Sequence, residues 1–274
     1  MQLREFQRIV DTLFKPNAAM RGDNIGLHVS SRRDTARKVL VCLEVTDAVL
    51  AEAITLDCDA ILAFHPLIYT PLLRLDRNDR VGRLACSLIE NDIALLCVHT
   101  AFDAFPRGTN HVLANRLGLH PLRPLQPSPV GEGFGMGLLA AAPDGMTFDM
   151  LMERTTAVCG SPVRYIPPTT DIVTSVALVG GSGASFMDDA IASGADVFIT
   201  ADVKYHGFHA ADGVIGLIDP GHFEMERFVP AGMIQALGLE YGMAAELVES
   251  RVVTNPVRYA APAAAPPYVH SSLS

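Results

Sequence analysis

The sequence contains no tryptophan, few cysteines and fewer basic than acidic residues. Its 274 residues include 21 lysines and arginines against 30 aspartates and glutamates, which gives a net charge of −9 at pH 7. A chain with this balance lacks the basic surface that attracts nucleic acid non-specifically. We therefore expect no nucleic-acid partner.

The cysteines are odd in number, and none of them has the C-x-x-C spacing of a thiolate metal site or a redox motif. Most of them lie inside apolar runs, which is typical of buried thiols in a reducing compartment. A structural zinc ion on cysteine is therefore not expected. The five cysteines are Cys42, Cys58, Cys86, Cys97 and Cys159.

Long hydrophobic runs are also missing, since nowhere do about 18 apolar residues follow one another. The N-terminal segment contains acidic residues and no continuous apolar core of the kind found in signal peptides. We expect a soluble cytoplasmic protein with no membrane partner. Hydrophobic residues nevertheless make up 49% of the chain, which is enough to build the core of one large domain or two smaller ones.

Short apolar runs alternate with helical patterns in the first half of the chain. Apolar runs at 38–45 and 60–63 flank a predicted helix at 49–56, and a third run at 94–98 follows a helix at 79–91. This β-α-β order predicts parallel strands. Open parallel sheets place their sites beyond the carboxyl ends of the strands, so polar residues at these ends are candidate site residues.

Histidines and acids follow several of these strands. His65 follows the second run, and His99 and Asp103 follow the third. A later apolar run ends just before His222 and Glu226, which a helix would place on one face, one turn apart. Imidazole and carboxylate groups bind divalent cations. The pattern is compatible with a metal site and equally with ordinary polar residues at strand ends.

The proline-rich segment at 121–129 is the predicted crossing between two lobes. We expect residues 1–125 together with 215–258 to form the first lobe, and residues 126–214 to form the second. The remaining segment, 259–274, is rich in alanine, proline and serine and is predicted to be a disordered tail.

Two of three polar or glycine-rich turns have two interpretations each. The loop at 180–183, between a strand and a helix, could hold a phosphate or form a tight structural turn. Its spacing does not match the dinucleotide-binding fingerprint, which disfavours a dinucleotide-dependent oxidoreductase. Lys204 could contact a phosphate or form a salt bridge at the same edge of the sheet. Asp23 is interpreted as a turn residue.

Six motifs occur in order and together resemble one family. They resemble the NIF-three-like family, also named the GTP cyclohydrolase I type 2 family, over residues 4–258, in its compact form without an inserted domain. The resemblance implies two α/β lobes with mainly parallel strands, a metal site in the cleft between them, and a ring-shaped homohexamer. The motifs are DNIGLHV (23–29), FHPLIYTPL (64–72), HTAFDAFPRGTNHVLANRLGL (99–119), VALVGGSGAS (176–185), GADVFITADVKYH (194–206) and LIDPGHFEMER (217–227).

The resemblance also implies two divalent metals held by four residues. His65 and Asp103 match ligands of one metal, His222 matches a ligand of the other, and Glu226 matches the carboxylate that bridges both. His99 matches a motif histidine beside the site and is either a ligand or a neighbour of one. The ligand types suit zinc, iron or manganese.

Phe64 is the departure from the family pattern, because it stands where the family has the first histidine. A phenyl ring cannot bind a metal, so one position would keep only His222 and Glu226 from the protein. We therefore expect one or two metals per chain, with the second held more weakly.

These features predict a divalent-metal-dependent hydrolase that resembles GTP cyclohydrolase I type 2 and acts on a nucleotide or a related phosphate-containing small molecule. Its predicted catalytic residues are Glu226 at the metals and His99 and His206 in proton transfer. Lys204 is the predicted substrate contact. The alternative is a non-catalytic metal-binding or scaffold protein of the same fold, which Phe64 favours.

Overall fold

The computed structural model describes residues 1–242 and 244–260. Two β-sheets with helices packed beside them make up most of this part of the chain. The predicted disordered tail lies outside the described residues, apart from Tyr259 and Ala260. Within the described part, none of the helices is both long and apolar enough to cross a bilayer.

Residues 1–118 are fully described and contain four strands and five helices. The strands are β1 (Gly26–Val29), β2 (Lys38–Cys42), β3 (Ala60–Ala63) and β4 (Ala94–Cys97). The helices are α1 (Leu3–Phe14), α2 (Asp47–Thr55), α3 (Arg80–Glu90), α4 (His99–Asp103) and α5 (Thr109–Arg116).

The later described residues contain nine further strands and five further helices. The strands are β5 (His120–Arg123), β6 (Gln126–Pro127), β7 (Gly135–Met136), β8 (Leu138–Ala141), β9 (Arg164–Ile166), β10 (Ser175–Leu178), β11 (Val197–Ile199), β12 (Gly216–Asp219) and β13 (Glu246–Glu249). The helices are α6 (Phe148–Cys159), α7 (Met187–Ala192), α8 (Tyr205–Ala211), α9 (His222–Glu226) and α10 (Val229–Tyr241).

Helix starts follow from local capping chemistry. Thr46 Oγ1 accepts a hydrogen bond from the backbone of Val49 at 3.2 Å, and a carboxylate oxygen of Asp79 accepts one from Gly82 at 3.0 Å. Each cap satisfies a backbone N–H that has no partner within the helix. The predicted starts of α2 and α3 are therefore confirmed to within two residues.

The first sheet has the strand order β1-β4-β3-β2-β13, and the second has the order β5-β8-β10-β11-β12-β9. In the first sheet, β4, β3, β2 and β13 are parallel. In the second, β10, β11 and β12 are parallel. Strands β3, β4 and β12 are buried at every position, which agrees with their continuous apolar sequences.

The prediction of mainly parallel strands was wrong. Five of the ten strand pairings in the described part of the chain are antiparallel, and they involve β1, β5, β8, β9 and the short pair β6 and β7. An apolar run shows that a strand is buried but does not show the direction of its partner. The fold is therefore a mixed α/β structure.

The predicted lobe boundaries also need correction. They assigned β5 and β12 to the first lobe, but both strands pair within the second sheet. β12 lies between β11 and β9, and its residue Leu217 pairs with Phe198 and Ile166. The proline-rich segment at 121–129 overlaps β5, so the chain has already entered the second sheet where this segment begins. The chain returns to the first sheet only at β13, beside β2.

Candidate metal centre

Three side chains meet between the ends of two strands from different sheets. His65 follows β3, whereas His222 and Glu226 lie on α9, which follows β12. Glu226 Oε2 lies 3.2 Å from His65 Nε2 and 3.0 Å from His222 Nε2. The candidate ligand atoms of the three residues all lie within 4.8 Å of one another. Two imidazoles and a carboxylate at this spacing can hold one divalent cation.

The turn before α9 explains why His222 begins a helix. Pro220 interrupts the strand pattern, and Gly221 has φ of +97°, a conformation that side chains with a Cβ rarely adopt. α9 then runs from His222 to Glu226, so the two side chains lie one turn apart on one face. This confirms the sequence prediction for this segment.

Several buried polar atoms near this group have no hydrogen-bond partner among the described residues. They are His65 Nδ1, Asp103 Oδ1 and Glu226 Oε2, together with Thr109 Oγ1. The two histidine nitrogens approach Glu226 Oε2 closely, but neither contact has hydrogen-bond geometry. Unpaired buried oxygens are costly in a folded protein. A cation would satisfy the carboxylate oxygens, so these residues fit a metal.

The electrostatics of the group favour opposite charges on His222 and Glu226. Burial acts to raise the pKa of Glu226, but the nearby His222 and His65 rings outweigh it and lower this pKa to about 2. Burial acts to lower the pKa of His222, but Glu226 and Asp202 outweigh it and raise this pKa to about 10. A cation bound at His222 would have to displace its proton, so affinity should rise with pH.

Asp103 lies near the three-residue group but is not part of it. Burial of its carboxyl, together with the negative charge of Glu226, raises the pKa of Asp103 to about 7. Both effects disfavour the ionised carboxylate, the first because burial removes water and the second because like charges repel. Of the four predicted ligands, the structure therefore brings three together and leaves Asp103 beside them.

Two acids that the sequence analysis did not assign to the site orient its histidines. Asp202 Oδ2 lies 2.7 Å from His222 Nδ1, and Asp23 Oδ1 lies 2.8 Å from His99 Nδ1. A carboxylate on Nδ1 fixes the ring and leaves Nε2 for a metal or a substrate. The interpretation of Asp23 as a turn residue missed this contact, because 76 residues separate it from His99.

His99 lies beside the group rather than in it. Its ring centroid is 5.5 Å from that of His65. Burial acts to lower the pKa of His99, but the hydrogen bond and the charge of Asp23 outweigh it, so this pKa is raised. His99 has φ of +28° and Asp202 has φ of +57°. Such values are rare for residues other than glycine and are frequent at functional sites.

Phe64 is fully buried and takes part in an apolar cluster with residues of α1, β2 and β4. Its ring centroid lies 4.9 Å from that of His65 and 5.6 Å from that of His99. The phenyl ring therefore packs directly against the histidines of the candidate centre. It supplies an apolar contact at the position where the family resemblance implies a histidine.

The glycine loop at 180–183 forms a structural turn. Gly180 N donates to Asn110 Oδ1 at 2.8 Å, and Gly183 N donates to Thr200 Oγ1 at 2.9 Å. Two of the four N–H groups of the loop are therefore occupied within the protein, which disfavours the phosphate-binding interpretation. Gly181 has φ of +62°, and its Cα faces Glu226 and His222. The loop thus closes one side of the candidate centre.

Gly181→Ala is expected to weaken metal binding by at least about tenfold. An alanine Cβ would collide with Glu226 Oε1 and lie 3.0 Å from His222 Nε2, so both side chains would have to move. Gly145→Ala is the matched control, because Gly145 has φ of +74° but has open space where its Cβ would lie. Equal metal affinity in both variants, measured by competition with a fluorescent chelator, would contradict this account of Gly181.

Lys204 and His206 lie apart from this group. Both are exposed, and the His206 ring packs edge-on against Tyr205 with a centroid separation of 5.5 Å. A cavity of 840 Å³ adjoins the candidate centre and is lined by His65, His99 and His222, but Lys204 and His206 do not line it. Their predicted roles in substrate binding and proton transfer stay predictions.

Known proteins resemble this chain in sequence and in fold over most of its length. A relative from Nostoc, named GTP cyclohydrolase 1 type 2 homolog, is 38% identical over 198 residues, which cover 69% of this chain and 73% of the relative. A relative of the same name from Clostridium perfringens is 32% identical over 229 residues, which cover 82% of this chain and 87% of the relative. The crystal structure of a hypothetical protein from Staphylococcus aureus has a similar fold, with a TM-score of 0.87 and 24% identity. The match covers 95% of this chain and 99% of that protein.

The family relationship rests on nearly the full length of the chain. Residues 1–256 match the family model described as Duf34/NIF3 (NGG1p interacting factor 3). This match confirms the resemblance that the six ordered motifs indicated. The chain belongs to the Duf34/NIF3 family.

Proposed function

We propose that this protein is a divalent-metal-dependent hydrolase that acts on a nucleotide or a related phosphate-containing small molecule. One observation carries the proposal: the Nε2 atoms of His65 and His222 converge on the buried Glu226 Oε2, for which residues 1–242 and 244–260 provide no hydrogen-bond partner. Histidine and carboxylate ligands around one point suit zinc, iron or manganese. A bound cation would acidify water and polarise the bond to be hydrolysed.

The donor set supports one firmly held cation per chain. His65, His222 and Glu226 form one group, whereas the family resemblance implies that the two histidines serve different metals. Asp103 is close enough to interact electrostatically with Glu226, so its unpaired Oδ1 is a candidate for a further ligand. With phenylalanine at position 64, a second cation would have fewer protein ligands and would bind more weakly.

The chain also provides a group for proton transfer. Asp23 binds His99 at Nδ1, which leaves Nε2 of the imidazole free to exchange a proton with water or substrate. The His99 ring lines the cavity next to His65. His99 is therefore better placed for this role than His206, which lies outside the cavity wall.

GTP is the first substrate to test, because the relatives from Nostoc and Clostridium perfringens carry the name GTP cyclohydrolase 1 type 2 homolog. A second candidate function is a non-catalytic metal-binding or scaffold protein, and the apolar ring of Phe64 at the centre favours it. The ring-shaped homohexamer remains a prediction for either function.

Metal stripping and reloading tests the proposal. The protein is freed of metal with a chelator, reloaded with Zn²⁺, Mn²⁺ or Fe²⁺, and analysed for metal content and for hydrolysis of GTP and other nucleotides. We expect about one tightly bound cation per chain and hydrolysis that disappears on stripping and returns on reloading. A cation bound without hydrolysis of any nucleotide, or no cation bound after reloading, would instead support the non-catalytic metal-binding or scaffold protein. Hydrolysis that persists after stripping would contradict the dependence on metal.

A further inference from the structure

The cavity beside the candidate centre is lined by three histidines and by one arginine. Arg164 is the sole lysine or arginine among the described residues that line it. Four acids line the same cavity: Glu44, Asp202, Asp219 and Glu224. An anionic ligand is repelled by most of this wall. Its charged group can be stabilised near Arg164, near a cation at the centre, or near the histidines of the centre.

Arg164 is held in place by two contacts. It begins β9 and pairs with Asp219 of β12, and one guanidinium nitrogen donates to Asp219 Oδ2. The guanidinium carbon lies 5.1 Å from the ring centroid of Phe208, in a cation-π contact. Such a side chain loses little conformational freedom when it binds a ligand, since its position is already restricted.

Asp219 anchors Arg164 without depending on it. Asp219 is only 3% exposed, and its carboxylate also accepts hydrogen bonds from Val203 N and Gly221 N, each at 3.1 Å. The buried acid is therefore satisfied by the backbone. Removing the guanidinium would leave Asp219 with these two hydrogen bonds but without its counter-charge, so Arg164→Gln should lower stability while the fold is kept.

Most of the hydrogen-bonding capacity of Arg164 remains open. A guanidinium has five N–H donors in one plane. Among the residues that the structure describes, Asp219 is the one side-chain partner recorded for it, and 60% of the arginine side chain is exposed. The remaining donors match the paired oxygens of a phosphate or carboxylate.

Two tyrosines add an aromatic surface to the same cavity. Tyr69 and Tyr259 both line it, and both are exposed. Tyr259 is tied to the wall, because its hydroxyl donates to Glu224 Oε1 at 3.2 Å. Aromatic rings beside an arginine are suited to a ligand that combines a planar heterocycle with an anionic group.

We propose that Arg164 binds the phosphate of a nucleotide and so determines the specificity of this cavity for an anionic ligand. The proposal deepens the function proposed above and rests on it. It assigns the phosphate contact to Arg164 rather than to Lys204, which lies outside the cavity. Arg164 acts here as a binding residue and takes no part in bond cleavage.

Calorimetric titration with two matched probes tests this assignment. Guanosine monophosphate carries the phosphate, and guanosine lacks it. The native protein, Arg164→Gln and Arg164→Lys are titrated with both probes, after reloading with metal and again after stripping. Lys204→Gln is the matched control for loss of one positive charge. Metal content and thermal midpoint are measured on the same samples.

We expect Arg164→Gln to bind guanosine monophosphate at least about tenfold more weakly than the native protein, and to bind guanosine within about twofold of it. The affinity of Arg164→Lys for guanosine monophosphate should lie between those of the native protein and Arg164→Gln, because lysine keeps the charge but lacks the planar guanidinium. Lys204→Gln should behave like the native protein. These results together would support Arg164 as the phosphate contact.

The assignment is overturned if Arg164→Gln keeps native affinity for guanosine monophosphate, if the native protein binds this nucleotide no better than guanosine, or if Lys204→Gln shows the loss instead. Metal content separates these failures from failure of the proposed hydrolase. If the native protein holds one cation and Arg164→Gln binds guanosine monophosphate as tightly as the native protein does, only the specificity proposal is contradicted. A native protein without metal contradicts the hydrolase, and the stripped-protein titrations still decide the role of Arg164.

Discussion

Glu226→Gln is expected to remove nearly all bound metal, with an affinity loss greater than about 100-fold, because loss of an outer hydrogen-bonding partner alone costs about 10- to 100-fold. Glutamine has nearly the same shape but no charge, and it leaves His65 and His222 as the two remaining ligands of the group. Elemental analysis and chelator competition measure the loss. Hydrolysis that depends on metal should disappear in parallel.

Glu224→Gln is the matched control for this prediction. Glu224 lies on the same short helix and is also buried, at 7% exposure, but its Oε1 accepts hydrogen bonds from Asn255 and Tyr259. It is not part of the three-residue group, so this variant should keep its metal. If Glu226→Gln retains native metal content, the assignment of the centre is wrong.

Phe64→His is expected to raise the metal content from about one to about two cations per chain, because an imidazole at this position would add the missing ligand. The ring of residue 64 already lies against His65 and His99, so a histidine there would start next to the candidate centre. The substitution also places a polar ring in a fully buried apolar cluster. We expect it to cost about 1–3 kcal/mol of stability in the metal-free protein, which denaturant unfolding would measure.

Phe14→His is the control for the loss of stability that a polar ring causes in this apolar cluster. Phe14 belongs to the same apolar cluster but packs edge-on against Phe102 and Phe105. This variant should lose stability without gaining metal. Two cations already present in the native protein would show that another group replaces the missing imidazole. An unchanged content of one cation in Phe64→His would show that a histidine alone does not restore the second position.

The placement of the candidate ligands was predictable where local sequence determines local structure. The segment from Asp219 to Glu226 contains a strand end, a proline and glycine turn, and a helix, and these features set the spacing of His222 and Glu226. His65 follows directly from the apolar strand β3. Hydrophobic periodicity and turn chemistry act over a few residues, so a sequence displays them directly.

Partners that lie far apart in the chain were not predictable in the same way. Asp23 reaches His99 across 76 residues, and Arg164 meets Asp219 across 55 residues. Neither pair has a spacing that a helix or a turn would impose. The glycine loop at 180–183 has two interpretations from the sequence, and only the tertiary structure shows that Gly180 N donates to Asn110 and Gly183 N to Thr200.

The sequence by itself determined the family, the order of most strands and helices, and the identity of His65, His222 and Glu226 as candidate ligands. Only the tertiary structure decided which strands are antiparallel, that β5 and β12 belong to the second sheet, and that Arg164 rather than Lys204 lines the cavity. The physical reason is the range of the interactions involved. Helix caps and apolar periods are local, whereas strand pairing and cavity walls arise when segments distant in sequence pack together.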